Sequence, residues 1–354
     1  MNERPEIGGS YPRLYTLHSQ KGGVGKTSIA IAIAAIETIF CAKKAVIIDA
    51  DMTGTSLIDV FQNNSADVRY LNELILAAPA EFEQYTSILS GQKPAQGGLT
   101  SFMQELSRQG PYYMPGNPGL VEIKKVVPLI SQEDFLGFFK RRLEDIIAAA
   151  VFEGFDVLVI DHSPGLFGLS TTSLDMALNL AEYMENNPPR MAKLMHMIKK
   201  EQPSIKSILV TTPDPADHRA LLSSLSSVIE HKSLHQKSDI IGRALTLVNN
   251  KAMAKPDERF DARFAMQEIF ESQEKIAPER RMPAWVKDAL LARAKKTGAV
   301  ACQFCERFDM NQIFSTVSAL KNAGEEQPRP GMATWCREIG LSVDLFEPRT
   351  FARP

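Results

Sequence analysis

The feature that most constrains this chain is a glycine-rich stretch, SQKGGVGKTSIA, at residues 19–30. It nearly fits the phosphate-binding pattern G-x-x-x-x-G-K-[ST], because the residues GKT at 25–27 close the motif. Gln20 stands where the first glycine of the pattern is usual, and a second lysine, Lys21, follows it. The stretch therefore predicts a phosphate-binding loop of a deviant form.

The flanking residues support this interpretation. LYTLHS (14–19) predicts a short buried strand, and SIAIAIAAIETIF (28–40) predicts a helix rich in alanine and isoleucine. The motif requires this strand–loop–helix context. A plain glycine-rich turn without a nucleotide is the alternative, and context and spacing both argue against it.

The loop supplies each part that a bound phosphate group needs. Gly22, Gly23 and Gly25 can adopt positive φ and point successive N–H groups at one phosphate. Lys26 is expected at the β/γ oxygens and Thr27 on Mg²⁺, and the N-terminus of the helix faces the anion. The expected nucleotide-binding residues are Gly22, Gly23, Val24, Gly25, Lys26, Thr27 and Ser28.

Other polar residues follow apolar strands. AVIID (45–49) ends in Asp49, and Asp51 is expected just past the strand end. FDVLVIDHSPG (155–165) predicts a buried strand ending in Asp161. RALTLVNNKA (243–252) predicts another strand that ends in asparagines. Such residues meet where the carboxyl ends of parallel strands form the ligand-binding edge of a sheet.

Strands alternate with helices along most of the chain. We therefore predict an α/β fold, a mostly parallel twisted sheet with helices on both faces. The predicted organisation is an N-terminal extension (1–13), a main domain (14–324) with a helical insertion at about 62–110, and an irregular C-terminal tail (325–354) with one short helix. Further predicted elements are a short strand in 111–119, a long helix over 133–154, and a strand, loop and helix over 204–229.

Composition excludes several classes of protein. The 354 residues are 44% hydrophobic, which can fill a core, and the formal net charge of −2 gives no overall attraction to DNA or anionic membranes. Four scattered cysteines are too few for a disulfide scaffold. No run approaches the length of a membrane span, and the first residues lack the apolar region of a signal peptide, so we expect a cytoplasmic protein.

Three motifs together resemble the deviant Walker ATPases of the ParA/MinD type: KGGVGKTS, IDADMTGTS and FDVLVIDHSPG. The similarity runs from about Leu14 to Asn250, with YYMPG, VTTPD and LVNN at the matching strand ends. The resemblance implies a P-loop fold, ATP and Mg²⁺ as cofactors, ATP hydrolysis, and a homodimer with ATP sandwiched between the subunits.

The resemblance also implies a role for each site residue. Lys21 reaches across the dimer interface to the partner's ATP, whereas Lys26 and Thr27 keep their usual roles. By the same resemblance Asp51 orients the attacking water, Asp161 holds Mg²⁺ through water, and Asn249 contacts the adenine edge. The residues alone leave helix capping open for Asp51 and strand-end capping open for Asp161. Asp49 is either a partner of the metal's water or a buried acceptor.

Two positions depart from the family pattern. Met52 and Thr53 precede Gly54 where the family often has D-x-D-x-Q-G, and Gly165 follows Pro164 where a serine is frequent. The expected catalytic carboxylates are unchanged. The departures bear on switching and partner recognition.

The leading functional hypothesis is an ATPase switch that positions a cargo, either DNA or a protein assembly, with a stimulating protein partner. Non-specific DNA binding would use a basic segment, for which a solvated helix face is the alternative. Its residues are Arg280, Arg281, Lys287, Arg293, Lys295 and Lys296. A second hypothesis is a nucleotide-dependent metal or iron–sulfur carrier, in which Cys302 and Cys305 of each subunit share a site, although ACQFCERF also resembles a core strand.

Three methionines and one histidine each allow two interpretations. Met191, Met195 and Met197 form either an adaptable partner surface or part of core or lid packing. His162, directly after Asp161, lies either near a switch region or in a structural position.

Overall fold

A computed structural model gives the structure of the protein. It describes residues 11–51, 68–86, 98–106, 110–117, 132–182, 188–231, 238–250, 281–297, 310–322 and 330–345, together with residues 119, 124–125, 127–129, 267, 269–271, 274 and 278.

A twisted sheet of seven strands forms the centre of the described part. Its order is β3-β4-β2-β5-β1-β6-β7, and all neighbours are parallel except β3, which is antiparallel to β4. The strands, numbered along the chain, are β1 (Arg13–His18), β2 (Ala45–Ala50), β3 (Gln104–Glu105), β4 (Tyr112–Met114), β5 (Val157–His162), β6 (Ser204–Thr211) and β7 (Leu245–Asn249).

Helices cover both faces of this sheet. They are α1 (Lys26–Ala35), α2 (Leu71–Leu76), α3 (Pro79–Thr86), α4 (Glu133–Phe152), α5 (Leu169–Ala181), α6 (Arg190–Met197), α7 (Pro215–His231), α8 (Ser238–Ala244), α9 (Ala284–Thr297), α10 (Met310–Lys321) and α11 (Pro330–Ser342). A π-helical turn, Ile36–Phe40, continues α1, and a 3₁₀ turn spans Gly98–Phe102.

Three hydrophobic clusters account for the layering. Strands β2 and β5 are buried along their whole length, as expected for parallel strands covered on both sides. One cluster joins the sheet to α2, α3, α4 and α6, and a second joins the opposite face to α1, α10 and α11. The third packs α7, α8 and α9 beside β6 and β7, and α5 contributes to it and to the first. The predicted α/β fold is therefore confirmed.

The register of the parallel strands brings the predicted polar residues together. Asp161 in β5 lies beside Asp49 in β2 and beside Leu17 in β1. The loop that leaves β1 therefore starts at the same edge as both carboxylates. The sequence predicted this convergence from strand ends alone.

The predicted C-terminal tail with one short helix does contain a helix, but this helix belongs to the core and is not an appendage. α11 has 13 residues and packs into the core against α1 and α10. Its apolar residues recur at helical spacing, which gives it one buried face. They are Met332, Trp335, Cys336, Ile339 and Val343.

The predicted helical insertion was wrong at its end. A helical tendency was expected over residues 99–109, but within the described residues 98–106 only a short 3₁₀ turn forms. Gln104 and Glu105 then pair with Tyr113 and Tyr112 as an antiparallel edge strand. Pairing with the sheet outweighs the helical tendency of this stretch. The helices α2 and α3 do lie within the predicted insertion.

None of the helices in the described ranges is both long and apolar enough to cross a membrane.

Candidate nucleotide site

The glycine-rich loop connects β1 to α1. Gly23 (φ 72°) and Gly25 (φ 93°) have positive φ, and Gly25 forms the left-handed start of α1. A positive φ is uncommon for other residues, which is why the loop needs glycine at these positions. The prediction of a positive φ at Gly22 was wrong; there the chain passes close to Pro164 with an ordinary backbone.

Thr27 and Asp161 lie against each other at the start of α1. The Thr27 hydroxyl donates a 2.6 Å hydrogen bond to Asp161 Oδ2. Asp161 Oδ1 is buried and has no hydrogen-bond partner among the described residues. Burial raises the pKa of Asp161 to about 6, although the charge of Lys26 and the Thr27 hydrogen bond oppose the rise.

This arrangement fits a magnesium ion. A buried carboxylate oxygen without a partner is an anomaly that a cation would resolve. Mg²⁺ usually takes one or two carboxylates together with phosphate oxygens and water. In the part of the chain that the structure describes, no three His, Cys, Asp or Glu residues cluster to hold a metal by themselves.

Asp49 is a buried acceptor, one of the two alternatives that the sequence left open. Its carboxylate accepts the Asp51 N–H at 3.1 Å and the Tyr113 hydroxyl at 3.1 Å. Burial raises the pKa of Asp49, and the charge of Asp161 adds to the rise. Through the Asp51 N–H bond, Asp49 fixes the point where the chain leaves β2.

Asp51 lies just past β2, as the sequence predicts, and is half-buried. Gly116, in the loop after β4, passes so close to this turn that an added methyl group would lie 3.0 Å from the Asp49 carbonyl oxygen and 3.4 Å from that of Asp51. The residues that follow Asp51, including Gly54, lie outside the described ranges.

Lys21 lies at the exposed rim of the loop. Its side chain is 59% exposed, and its ammonium lies 3.3 Å from Asp217 and 3.5 Å from Asp214, at the start of α7. Hydrogen bonds that the ammonium donates to these carboxylates, first to Asp217, raise the pKa of Lys21. Asp217 is nearly buried and also accepts the Thr212 hydroxyl at 2.5 Å.

The loop after β5 fastens onto the glycine-rich loop. The Gly165 N–H donates to the Ser19 carbonyl at 2.7 Å, and the Leu166 N–H donates to Gln20 Oε1 at 3.1 Å. The glutamine that replaces the usual glycine therefore ties the two loops together. The departure from the motif was the only sequence signal for this role.

The backbone conformation and the neighbours of residue 165 explain why this position holds a glycine. Its φ is 102°, and a methyl group on its Cα would overlap the ring of Phe167. A serine, frequent here in the ParA/MinD family, would meet both obstacles. Phe167 is 59% exposed and lies at the surface of this loop.

Comparisons with known proteins agree with this geometry. Residues 13–184 match a family model described as an AAA domain. The crystal structure of a McdA variant with ATP from Cyanothece superposes with a TM-score of 0.52 at 12% identity, covering 95% of this chain and 98% of that one. The chain has the fold of the ParA/MinD-type P-loop ATPases.

Two further structures are similar. A ParA family ATPase from Chlorobium tepidum gives a TM-score of 0.47 at 13% identity, covering 93% of this chain and 98% of that one. The cell division ATPase MinD from Pyrococcus furiosus gives 0.48 at 15%, covering 95% and 100%. Curated protein sequences gave no match.

The P-loop is also held from β7. The Asn250 amide donates to the Val24 carbonyl at 2.7 Å and accepts the indole N–H of Trp335 at 3.0 Å. Sequence reasoning missed both Asn250 and Trp335. The second asparagine of LVNN was a signal for the first, and nothing in the sequence pointed to the tryptophan.

Asn249 closes β7 at the same edge as the P-loop. It is buried, and its side chain lies next to the ring of His218 in α7. Burial lowers the pKa of His218, and the contact with Asn249 opposes this lowering. Its predicted contact with the adenine edge stays a prediction.

A pair of buried histidines lies beneath the P-loop. The rings of His18 and His162 stack at 5.1 Å between centroids, and His18 shares hydrogen bonds with Ser170 and Thr16, both at 2.8 Å. Burial, and then Lys26, lower the pKa of His162 to about 3, so its ring is neutral. Its position is structural, one of the two alternatives from the sequence.

Arg293 does not belong to a DNA-binding surface, contrary to the prediction. Its side chain is only 11% exposed, and the guanidinium donates to Thr246 Oγ1 at 2.7 Å and to the carbonyls of Gly242 and Ser342 at 3.0 Å each. It also pairs with Asp344 at 3.1 Å. The helical spacing that suggested a basic face placed this residue inward, where it connects α8, α9 and the end of α11.

Two members of the predicted basic segment do reach the surface region. Arg281 is exposed, and Lys287 lies 5.7 Å from the centre of the Phe270 ring. The side chains of Arg280, Lys295 and Lys296 lie outside the described residues, as do Cys302 and Cys305. Of the three methionines, Met191 and Met195 are core residues, whereas Met197 is exposed.

Two clefts lie away from the P-loop. One of about 810 Å³ is lined by Lys206, Arg243 and Arg293, and another of about 550 Å³ by Lys140, Glu144 and Arg190. Their cations are paired with carboxylates, as in Lys206 with Asp344 and Lys140 with Asp175. The chemistry of the loop, and not the size of a cleft, therefore locates the candidate site.

Proposed function

We propose that this ATPase is a dimerising switch. It binds and hydrolyses Mg-ATP at the P-loop, two copies enclose the nucleotide, and the ATP-bound dimer positions a cargo in the cytoplasm. The observation that carries the nucleotide part is the buried Asp161 carboxylate, bonded to Thr27 on one oxygen and without a described partner on the other.

The residues of the loop divide the chemistry of phosphoryl transfer. Lys26 and the N–H groups around Gly23 and Gly25 neutralise charge on the phosphate oxygens. Thr27 and Asp161 would hold Mg²⁺, Asp161 through water, and this ion would supply positive charge to the same oxygens. Asp51, fixed by Asp49 through its N–H, orients the water that attacks the terminal phosphate.

The dimer part rests on Lys21. In this structure it pairs with Asp214 and Asp217 at the surface of its own chain. Lys21 and Asp214 are exposed and Asp217 is nearly buried. Ion pairs with an exposed ammonium are weak, so these contacts hold the side chain only loosely. A triphosphate in a closed interface attracts an ammonium far more strongly, because water is excluded. Lys21 is therefore free to exchange its carboxylates for the partner's ATP.

The cargo is DNA or a protein assembly, and a protein partner stimulates hydrolysis. Arg281 and Lys287 are the described residues that would contact DNA phosphates, since Arg293 is committed to the fold. Without Arg293, the basic segment offers a smaller patch than the sequence suggested. The names of the similar structures, a ParA family ATPase and a cell division ATPase, support a positioning role by analogy.

Size-exclusion chromatography with light scattering tests the switch. We expect the wild type to be monomeric without nucleotide and dimeric with a non-hydrolysable ATP analogue and Mg²⁺. Lys21→Ala should bind the analogue yet remain monomeric, whereas Lys193→Ala, an exposed lysine of α6, should dimerise normally. A Lys21→Ala protein that dimerises and hydrolyses ATP at the parental rate would overturn the dimer mechanism.

Fluorescence anisotropy with a labelled DNA duplex tests the cargo. If DNA is bound, the ATP-bound wild type should bind it with an affinity that falls steeply with salt. Arg281→Glu combined with Lys287→Glu should weaken DNA binding and leave dimerisation unchanged. Absence of DNA binding by the ATP-bound wild type would favour a protein cargo.

A further inference from the structure

Two side chains and one backbone carbonyl, from distant parts of the sequence, form a buried series of hydrogen bonds. The indole N–H of Trp335, in α11, donates to Asn250 Oδ1 at 3.0 Å. Asn250 Nδ2 in turn donates to the Val24 carbonyl in the P-loop at 2.7 Å. All three residues are buried, and Trp335 is 0% exposed.

The Asn250 amide packs directly against the P-loop. A methyl group on Gly25 would overlap Asn250 Nδ2, so the amide fills the space directly over the left-handed residue that starts α1. The Asn250 N–H is also bonded to the Thr211 carbonyl at 2.8 Å, which fixes the backbone beneath the amide. Asn250 thus joins the ends of β6 and β7 to the P-loop.

Trp335 decides which way the amide faces. An asparagine side chain can turn by 180°, which exchanges its oxygen and its nitrogen. The indole can only donate and the Val24 carbonyl can only accept, so a single orientation satisfies both. Without the indole N–H, turning the amide would cost one hydrogen bond instead of two. The turned amide would place Oδ1 against the carbonyl oxygen of the P-loop.

We propose that Trp335 is a positioning residue for the nucleotide site, through which α11 and the P-loop are energetically coupled. The proposal rests on the proposed binding of ATP. Coupling between two sites is reciprocal, so nucleotide must stabilise α11 to the same extent that α11 favours nucleotide binding. The segment taken from the sequence to be a tail thereby acts on the ATPase centre.

Isothermal titration with Mg-ATP and the variant Trp335→Phe tests the coupling. Phenylalanine keeps an aromatic ring but has no N–H. We expect the Kd for ATP to rise about threefold to tenfold, the range set by one lost hydrogen bond. Trp285→Phe, the same change at the only other tryptophan, in α9, should leave the Kd unchanged.

A double-mutant cycle separates positioning from general destabilisation. Asn250→Asp keeps an acceptor for the indole but replaces the amide donor to Val24. If Trp335 acts through Asn250, adding Trp335→Phe to Asn250→Asp should change the Kd by less than twofold, since the link is already broken. Independent effects that multiply would overturn the proposal.

Hydrogen exchange on the wild type keeps the proposal testable if the variants do not fold. Mg-ATP should slow amide exchange in residues 330–342 as well as in the P-loop, because local opening of α11 would release Asn250. Unchanged exchange in α11, with a protected P-loop, overturns the coupling alone. A wild type that binds no ATP overturns the proposed function instead.

Discussion

The Thr27 hydroxyl donates a 2.6 Å hydrogen bond to the Asp161 carboxylate, which joins the first turn of α1 to the end of β5. One carboxylate oxygen is thereby used and the other, buried, is left without a partner among the described residues. The pair thus gives the P-loop a fixed anionic position before any ligand arrives. The predictions below follow from this site and from the loops around it.

Lys26→Ala should abolish tight binding of Mg-ATP. The substitution removes a buried cation from a loop that faces phosphate oxygens. A hydrogen bond to a charged group contributes about 1.5–3 kcal/mol, so the Kd should rise roughly 10- to 150-fold. Isothermal titration measures this, and Lys200→Ala, an exposed lysine after α6, is the control. An unchanged affinity would remove this loop from the nucleotide site.

Asp51→Ala should bind ATP and accumulate as a dimer, because we assign its carboxylate to hydrolysis and not to binding. Loss of a group that positions or activates the water should slow turnover by about 100-fold or more. Phosphate release measures the rate, and light scattering measures the dimer. The control is Asp239→Ala, an exposed carboxylate of α8. Turnover at the wild-type rate would exclude Asp51 from the reaction.

Gly165→Ala should destabilise the protein. The residue has φ 102°, and the new methyl group would overlap the Phe167 ring. Strain of this kind costs about 1–3 kcal/mol, which denaturant unfolding would show as a lower free energy of unfolding.

Two further variants separate the cost of the steric overlap from the cost of the backbone strain. Phe167→Ala added to Gly165→Ala removes the overlap but not the backbone strain, so it should restore part of the stability. Gly242→Ala, in α8, is the matched control, since its added methyl group meets no atom within 4 Å. It should be neutral or slightly stabilising. Equal stability of Gly165→Ala and the wild type would show that the loop rearranges freely.

The nucleotide-free protein should lose stability as pH rises from about 4 to 6. Folding raises the pKa of Asp161 from 3.8 to about 6, so the folded state binds this proton more tightly than the unfolded state does. The resulting decrease in the free energy of unfolding is absent below pH 3.8 and fully present above about pH 6. Two pKa units correspond to a decrease of about 3 kcal/mol at most.

Thermal unfolding at several pH values tests this sign. Asp161→Asn cannot lose a proton, so its melting temperature relative to wild type should increase between pH 4 and pH 6.5. Asp161→Asn also removes the charge that helps to raise the pKa of Asp49, so the Asp49 contribution changes the difference in the same direction. Mg-ATP should reduce the difference at pH 7, since the ion compensates the carboxylate. A difference that does not depend on pH would contradict the assignment of a raised pKa.

Much of the site could be predicted from the sequence because its signals are local. The glycines, Lys26 and Thr27 lie within one short loop, and Asp49, Asp51 and Asp161 follow apolar strands that can be read directly. Parallel pairing of those strands then brings their ends to one edge, with Asp49 beside Asp161. These inferences needed only the strand pattern and the rule that parallel strands align.

The sequence by itself therefore determined the α/β fold and the chemistry of the phosphate loop. The tertiary structure decided which residues hold that loop in place. Asn250 is 226 residues from Val24, and Trp335 is 85 residues from Asn250. Arg293, which was expected at the surface, instead donates hydrogen bonds that connect distant elements. No local pattern encodes such pairs, because a buried donor takes whichever acceptor the packing of distant elements brings within reach.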